Sequence, residues 1–128
     1  MTQDQAKTAA RMQVGLVRAE AGLVAGTKIG NFIFLSALRG RGDTIQEQAK
    51  AALDQMKGLL EEAGSDLDHV AMVTIYFQDI GERKAFDEIW VEYFADNAPA
   101  RTGVEVANAS PNPGGNNRFA FDVMAVTK

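Results

Sequence analysis

The stretch TIQEQAKAALDQMKGLLEEAGSDLDHVAMVTIYF, residues 44–77, holds an amphipathic helix, a stop and a buried strand in succession. Apolar residues at Ile45, Ala49, Ala52, Leu53, Met56, Leu59, Leu60 and Ala63 recur at the helical period. Glu47, Lys50, Asp54, Lys57 and Glu61 occupy the other face, a solvated surface rather than a binding motif. Thr44 with Glu47 three residues on forms a capping box, and Gly64 is a natural stop. A helix over Thr44–Ala63 is therefore expected. Val70–Phe77, rich in β-branched and aromatic residues, follows as a strand.

Upstream, Leu23–Thr27 and Asn31–Leu38 flank Gly30 and read as a β-hairpin, with Phe32-Ile33-Phe34-Leu35 as its buried arm. Arg39-Gly40-Arg41-Gly42-Asp43 lacks the Gly-Lys-Ser/Thr ending of a phosphate loop and reads as a plain turn. Downstream, Glu82–Ala95 is a second helix whose Phe86, Ile89, Trp90, Tyr93 and Phe94 pack into the core. Arg101–Val106 and Arg118–Val126 are strands, separated by an Asn-, Pro- and Gly-rich loop over Ala107–Asn117. The order β-β-α-β-α-β-β predicts an α+β fold, one sheet with two helices on one face. Alternation places Ala120, Asp122 and Met124 against Phe119, Phe121 and Val123, and Arg101, Gly103 and Glu105 against Thr102, Val104 and Val106. The Phe/Val faces belong under the helices, and the polar faces, Arg101 and Glu105 included, point away from them into a subunit interface.

The chain has 128 residues, 46% hydrophobic and 23% charged, which suits one globular domain and excludes a mainly disordered chain. Residues 1–14 read as a flexible N-terminal arm and 15–128 as a single domain. Without cysteine there is no disulfide, thiolate zinc site or thiol nucleophile, and one histidine, His69, makes no triad. His69 stands at a strand entry and receives no catalytic role. A net charge of −4 without a basic block gives no footprint for nucleic acid, and no apolar run reaches the length of a membrane span. A cytoplasmic protein is expected.

In family order the chain carries Gly30-Asn31-Phe32-Ile33-Phe34-Leu35-Ser36, then Gln48 with Leu59–Ser65, then Asp68-His69-Val70 with Thr74–Asp79. Phe86–Phe94 and Pro99-Ala100-Arg101-Thr102-Gly103-Val104-Glu105-Val106 complete the set. In these segments it resembles the RidA/YjgF family of small enamine/imine deaminases. The resemblance implies a chorismate-mutase-like fold and a barrel-like homotrimer with sheets inward, helices outward and clefts between subunits. It implies hydrolysis of an enamine or imine of a small carboxylic acid to a keto acid and ammonia, without metal or organic cofactor. Arg101 matches the residue that grips the substrate carboxylate, a task for which a planar, permanently charged fork is suited. Read from spacing alone, an inter-subunit salt bridge is the favoured role for Arg101, and it is the family motif around it that turns the reading to the carboxylate grip. Ser36 matches the cleft serine that orients substrate or water, and the backbone of Thr102 and Gly103 would line the cleft.

The sequence departs from the family pattern at several of these positions. Leu23 stands where deaminases carry tyrosine, Ser36-Ala37-Leu38 replaces Ser-Gly-Gln, and Gly103 takes the place of a frequent cysteine. Ala120 stands where the family has its water-holding carboxylate, with Asp122 on the same face about 6–7 Å along the strand. Asp122 and Glu105 are thus the candidate proton handlers, with Arg101, Thr102, Gly103, Leu23, Ser36, Leu38 and Ala120 as substrate-binding positions. Asp87 replaces a frequent asparagine, the Ser36–Gln48 segment is short, and the Ala107–Asn117 loop is long. The cleft is expected to favour a larger, more apolar carboxylate and to be a slow deaminase. The alternative is a non-catalytic trimer that binds a small carboxylic metabolite. A ribonuclease role, attached to some members, is disfavoured by the acidic charge.

Overall fold

The computed structural model describes residues 10–18, 21–111 and 115–128. The elements are β1 (Met12–Arg18), β2 (Leu23–Ile29), β3 (Phe32–Leu38), α1 (Ile45–Glu62), β4 (Val70–Phe77), α2 (Arg83–Tyr93), β5 (Ala100–Glu105) and β6 (Phe119–Val126). Short 3-10 turns occupy Leu67–His69 and Ile80–Glu82. The strands form one sheet in the order β1-β2-β3-β6-β4-β5. Among the described residues only β4 and β5 pair in parallel, and α2 supplies the crossover such a pair requires.

Both helices and the hairpin lie where the sequence places them. Thr44 caps α1, its hydroxyl accepting from the Glu47 N–H at 3.1 Å. The other end closes in a Schellman arrangement. Ser65 N–H donates to Leu60 O, Gly64 N–H donates to Glu61 O, and Gly64 sits at φ 85°. Gly30 turns the β2–β3 hairpin at φ 57°.

One strand was not expected. β1 begins at Met12, inside the segment read as an arm, so the order is β-β-β-α-β-α-β-β. Met12, Gln13 and Val14 pair with Lys28, Thr27 and Gly26 of β2. The strand also buries Val14 in the core. Residues 1–9 of the arm lie outside the described residues.

One face of the sheet is covered by the helices. Ile33, Leu35, Val73, Ile75, Phe77, Phe119, Phe121 and Val123 meet Ala49, Ala52, Leu53, Met56 and Leu60 of α1 there, all buried. Phe86 of α2 packs edge-on to Phe77 and Phe119 with ring centroids at 5.5 and 5.0 Å. The opposite face has no cover among the described residues of the single chain. Register groups Ile29, Phe32, Phe34 and Met124 on it, and these side chains are 38–55% exposed. Thr74, Tyr76, Thr102, Val104 and Asp122 continue that face toward β5.

The expected placement of β5 requires correction. Register sets Arg101, Gly103 and Glu105 beside Val73, Ile75 and Phe77, on the helix face, and Thr102 and Val104 on the open face. Polarity misled the assignment because β5 is an edge strand. At the margin of the helix layer a charged side chain reaches α2 without entering the core.

Candidate functional site

The residues singled out from sequence fall into two separate groups. The first surrounds the end of the β2–β3 hairpin. An open cleft of about 840 Å³ is lined there by Leu23, Ser36 and Leu38, joined by Arg39, Arg41 and Asn117. Its floor is an irregularity in β3 between Leu35 and Leu38, where Ala37 adopts φ 54°. A non-glycine residue in that region is strained. The strain is held from both sides. Ala37 N–H donates to Asp122 Oδ1 at 2.8 Å, and Ala37 O accepts from Arg39 at 3.1 Å.

Asp122 is thus committed. Its other oxygen accepts from the Tyr76 hydroxyl at 3.0 Å, and this bond, followed by the carboxylate charge, pushes the Tyr76 phenol above its usual range. The arrangement makes Asp122 a positioning residue for the Ser36–Ala37 backbone. Ala120 is buried and opposes Tyr76 across the β4–β6 ladder, and it lies outside the cleft lining.

Arg39 and Arg41 were read from sequence as part of a plain turn. The structure turns that short segment into a wall of the cleft. Arg39 Nε donates to Ala109 O at 3.0 Å, so the long Ala107–Asn117 loop and the hairpin share one guanidinium. Burial pulls Arg39 below the usual arginine range, and the nearby Asp122 charge opposes that shift. Gln48 holds the same loop from α1. Its amide donates to Gly42 O and Asn116 O, and its oxygen accepts from Arg118 N–H at 2.9 Å. The signal available in the sequence was Arg-Gly-Arg directly after a strand that ends in a serine.

The second group lies on β5. Arg101 donates to Asp87 Oδ1 at 2.6 Å and stacks 5.0 Å over the Trp90 ring, both on α2. Its side chain remains 23% exposed. Asp87, which replaces the frequent asparagine, orients one edge of the guanidinium and offsets part of its charge. Trp90, read as core, is both core and the platform for that cation. Glu105 accepts from the Ile80 N–H through Oε1 and secures the turn before α2. Gly103 faces Phe77, whose ring a Cβ would meet at 3.1 Å, so a cysteine there would need that ring to shift.

Ser36 and Arg101 are not neighbours within one chain. β6 and β4 lie between β3 and β5, a separation of about 14 Å at ordinary strand spacing. Arg101 also projects from the helix face. The chain therefore presents two separate groups, a cleft with a serine and two arginines, and an edge-strand arginine on an aromatic platform.

This mixed sheet with two helices on one face defines a chorismate-mutase-like α+β protein. The chain matches the family profile described as Endoribonuclease L-PSP over residues 16–114, and it belongs to that family, the RidA/YjgF proteins. A RutC family protein of Pyrococcus abyssi is 38% identical over 89 residues, covering 62% of this chain and 69% of that protein. A human 2-iminobutanoate/2-iminopropanoate deaminase is 38% identical over 63 residues, 49% of this chain and 46% of that protein. Among solved structures, a YjgF family member from Neisseria meningitidis superposes with a TM-score of 0.82 at 28% identity, over 94% of this chain and 98% of that one. No helix among the described residues is long and apolar enough to cross a membrane.

Proposed function

We propose that the protein hydrolyses an enamine or imine of a small carboxylic acid at clefts between the subunits of a homotrimer. Arg101 grips the carboxylate, Ser36 orients the ligand or water, and water is the nucleophile. The observation that carries this reading is Arg101 itself, a partly exposed guanidinium fixed by Asp87 and Trp90 with one edge left for a ligand. The deaminase activity of the human relative supports the same chemistry. A neighbouring subunit would bring an Arg101 to the Ser36 cleft, which a single chain does not. The uncovered apolar face with Phe32, Phe34 and Met124 supports the assembly. An imine carbon is already electrophilic, so positioning water and supplying a proton suffice without a cofactor.

Asp122 also holds the Ala37 N–H and Glu105 the Ile80 N–H, so each candidate proton handler carries a structural hydrogen bond as well. With Ala120 in place of a carboxylate, deamination of 2-aminoacrylate is expected to be slower than in relatives with the full set, by about 10²–10⁴-fold. That same gap favours a second reading, a trimer that binds a small carboxylate without turning it over. An assay in which a pyridoxal-phosphate lyase generates the imine and keto-acid release is followed separates the two. Slow release above the uncatalysed rate supports hydrolysis, and none supports binding alone.

Arg101→Lys is the direct test of the clamp. Lysine keeps the charge and loses the fork, so carboxylate binding should weaken by roughly 1.5–3 kcal/mol with the fold intact. Calorimetric titration with 2-oxobutanoate measures it. Unchanged binding would remove Arg101 from the site.

A further inference from the structure

We infer that the cleft at Arg39 and Arg41 receives a second acidic group, so that the preferred ligand is a small imino or keto acid with a carboxylate at each end. This deepens the function proposed above and rests on it, since the first carboxylate is the one assigned to Arg101. The cleft lining contains two arginines, and among the described residues no aspartate or glutamate, in a protein whose net charge is −4. Its remaining polar groups, Ser36, Gln55 and Asn117, carry no charge.

Arg39 is pre-positioned rather than free to roam. Nε and one terminal nitrogen are tied to the carbonyls of Ala109 and Ala37, which leaves N–H groups on the same rigid fork for a ligand. Burial depresses its pKa, as a cation short of countercharge requires, and the one carboxylate felt nearby, Asp122, already accepts from Ala37 and Tyr76. An incoming carboxylate would restore that missing charge in a partly dehydrated place, where ion-assisted hydrogen bonds are strong. Arg41, exposed on the opposite side of Gly40, makes no hydrogen bond among the described residues and is available to close on the same anion. Leu23 and Leu38 would then contact the carbon chain between the two ends. The expectation of a larger, more apolar carboxylate, drawn from those leucines, then concerns the carbon chain between the two ends.

Calorimetric titration with 2-oxobutanoate and with 2-oxoglutarate at matched ionic strength tests the inference. The wild-type protein should bind the dicarboxylate at least tenfold more tightly, the factor that one added charged hydrogen bond supplies. Arg41→Gln should bring the ratio of the two affinities down toward one. Arg101→Lys should weaken both ligands and keep the ratio. Equal affinities in the wild type, with 2-oxobutanoate still dependent on Arg101, would overturn this inference and leave the Arg101 clamp standing. Tight 2-oxoglutarate binding that needs Arg41 and ignores Arg101 would uphold the arginine cleft and overturn the clamp. Failure of both ligands to bind would overturn both.

Discussion

Ala37 holds the one positive φ among the described non-glycine residues, and it does so beside the cleft serine. Left-handed backbone costs an alanine about 1–2 kcal/mol, offset in part by its lower unfolded-state entropy relative to glycine. Ala37→Gly should therefore raise stability by about 0.5–1 kcal/mol, read from the midpoint of urea unfolding. A decrease would mean that the methyl group makes packing contacts that outweigh the relief of strain. The bonds that hold this residue also make a pH prediction. Asp122 raises the Tyr76 phenol, so the folded state favours the neutral form. The stability contributed is complete below the unfolded value of about 10 and is lost as pH rises through the higher folded value. Wild-type melting temperature should fall more steeply above pH 10 than that of Tyr76→Phe. Sequence reading singles out Ser36, Arg101 and Asp122 as candidates, but not what each side chain touches. That Asp122 supports a backbone bulge depends on a register between β3 and β6 that separates the partners by 85 positions in the chain.

At the scale of elements, α1 is the part most fully legible from sequence. Its period, its threonine cap and its glycine stop are local features, and the structure reproduces them. Gly64 at φ 85° has only Lys28 Nζ, at 4.0 Å, near the place a Cβ would occupy, so a side chain there meets backbone strain and no clash. Gly64→Ala should lower stability by about 1 kcal/mol, measured by urea unfolding. Lys28 also donates to Ala63 O, which places a cation at the negative end of α1. β1 was missed because its start falls in the segment read as an arm, although Val14 there is buried in the core. The faces of β5 were inverted because alternation fixes which residues share a side but not which side the helices cover.

For the whole molecule, the open face of the sheet decides assembly. Phe34 lies on it opposite Met124, and both remain substantially exposed in the single chain. If three sheets close around a common interior, Phe34→Asp places a charge where water is excluded and should yield monomers. Light scattering should give about 41 kDa for the wild type, three times 13.8 kDa, and the single-chain mass for the variant. A wild-type monomer at micromolar concentration would overturn the inter-subunit site.

By itself the sequence determined the α+β class, both helices, the hairpin, the core stripe and the family, because periodicity, caps and motifs are encoded between residues close in the chain. Only the tertiary structure decided that Arg101 rests on α2 with Asp87 and Trp90, and that the Ser36 cleft lies strands away from it. It alone placed Arg39 and Arg41 in that cleft, beside a loop some 70 residues distant in the chain. Those outcomes follow from strand order and register, which are set by burying the whole apolar face at once and cannot be read from any local spacing.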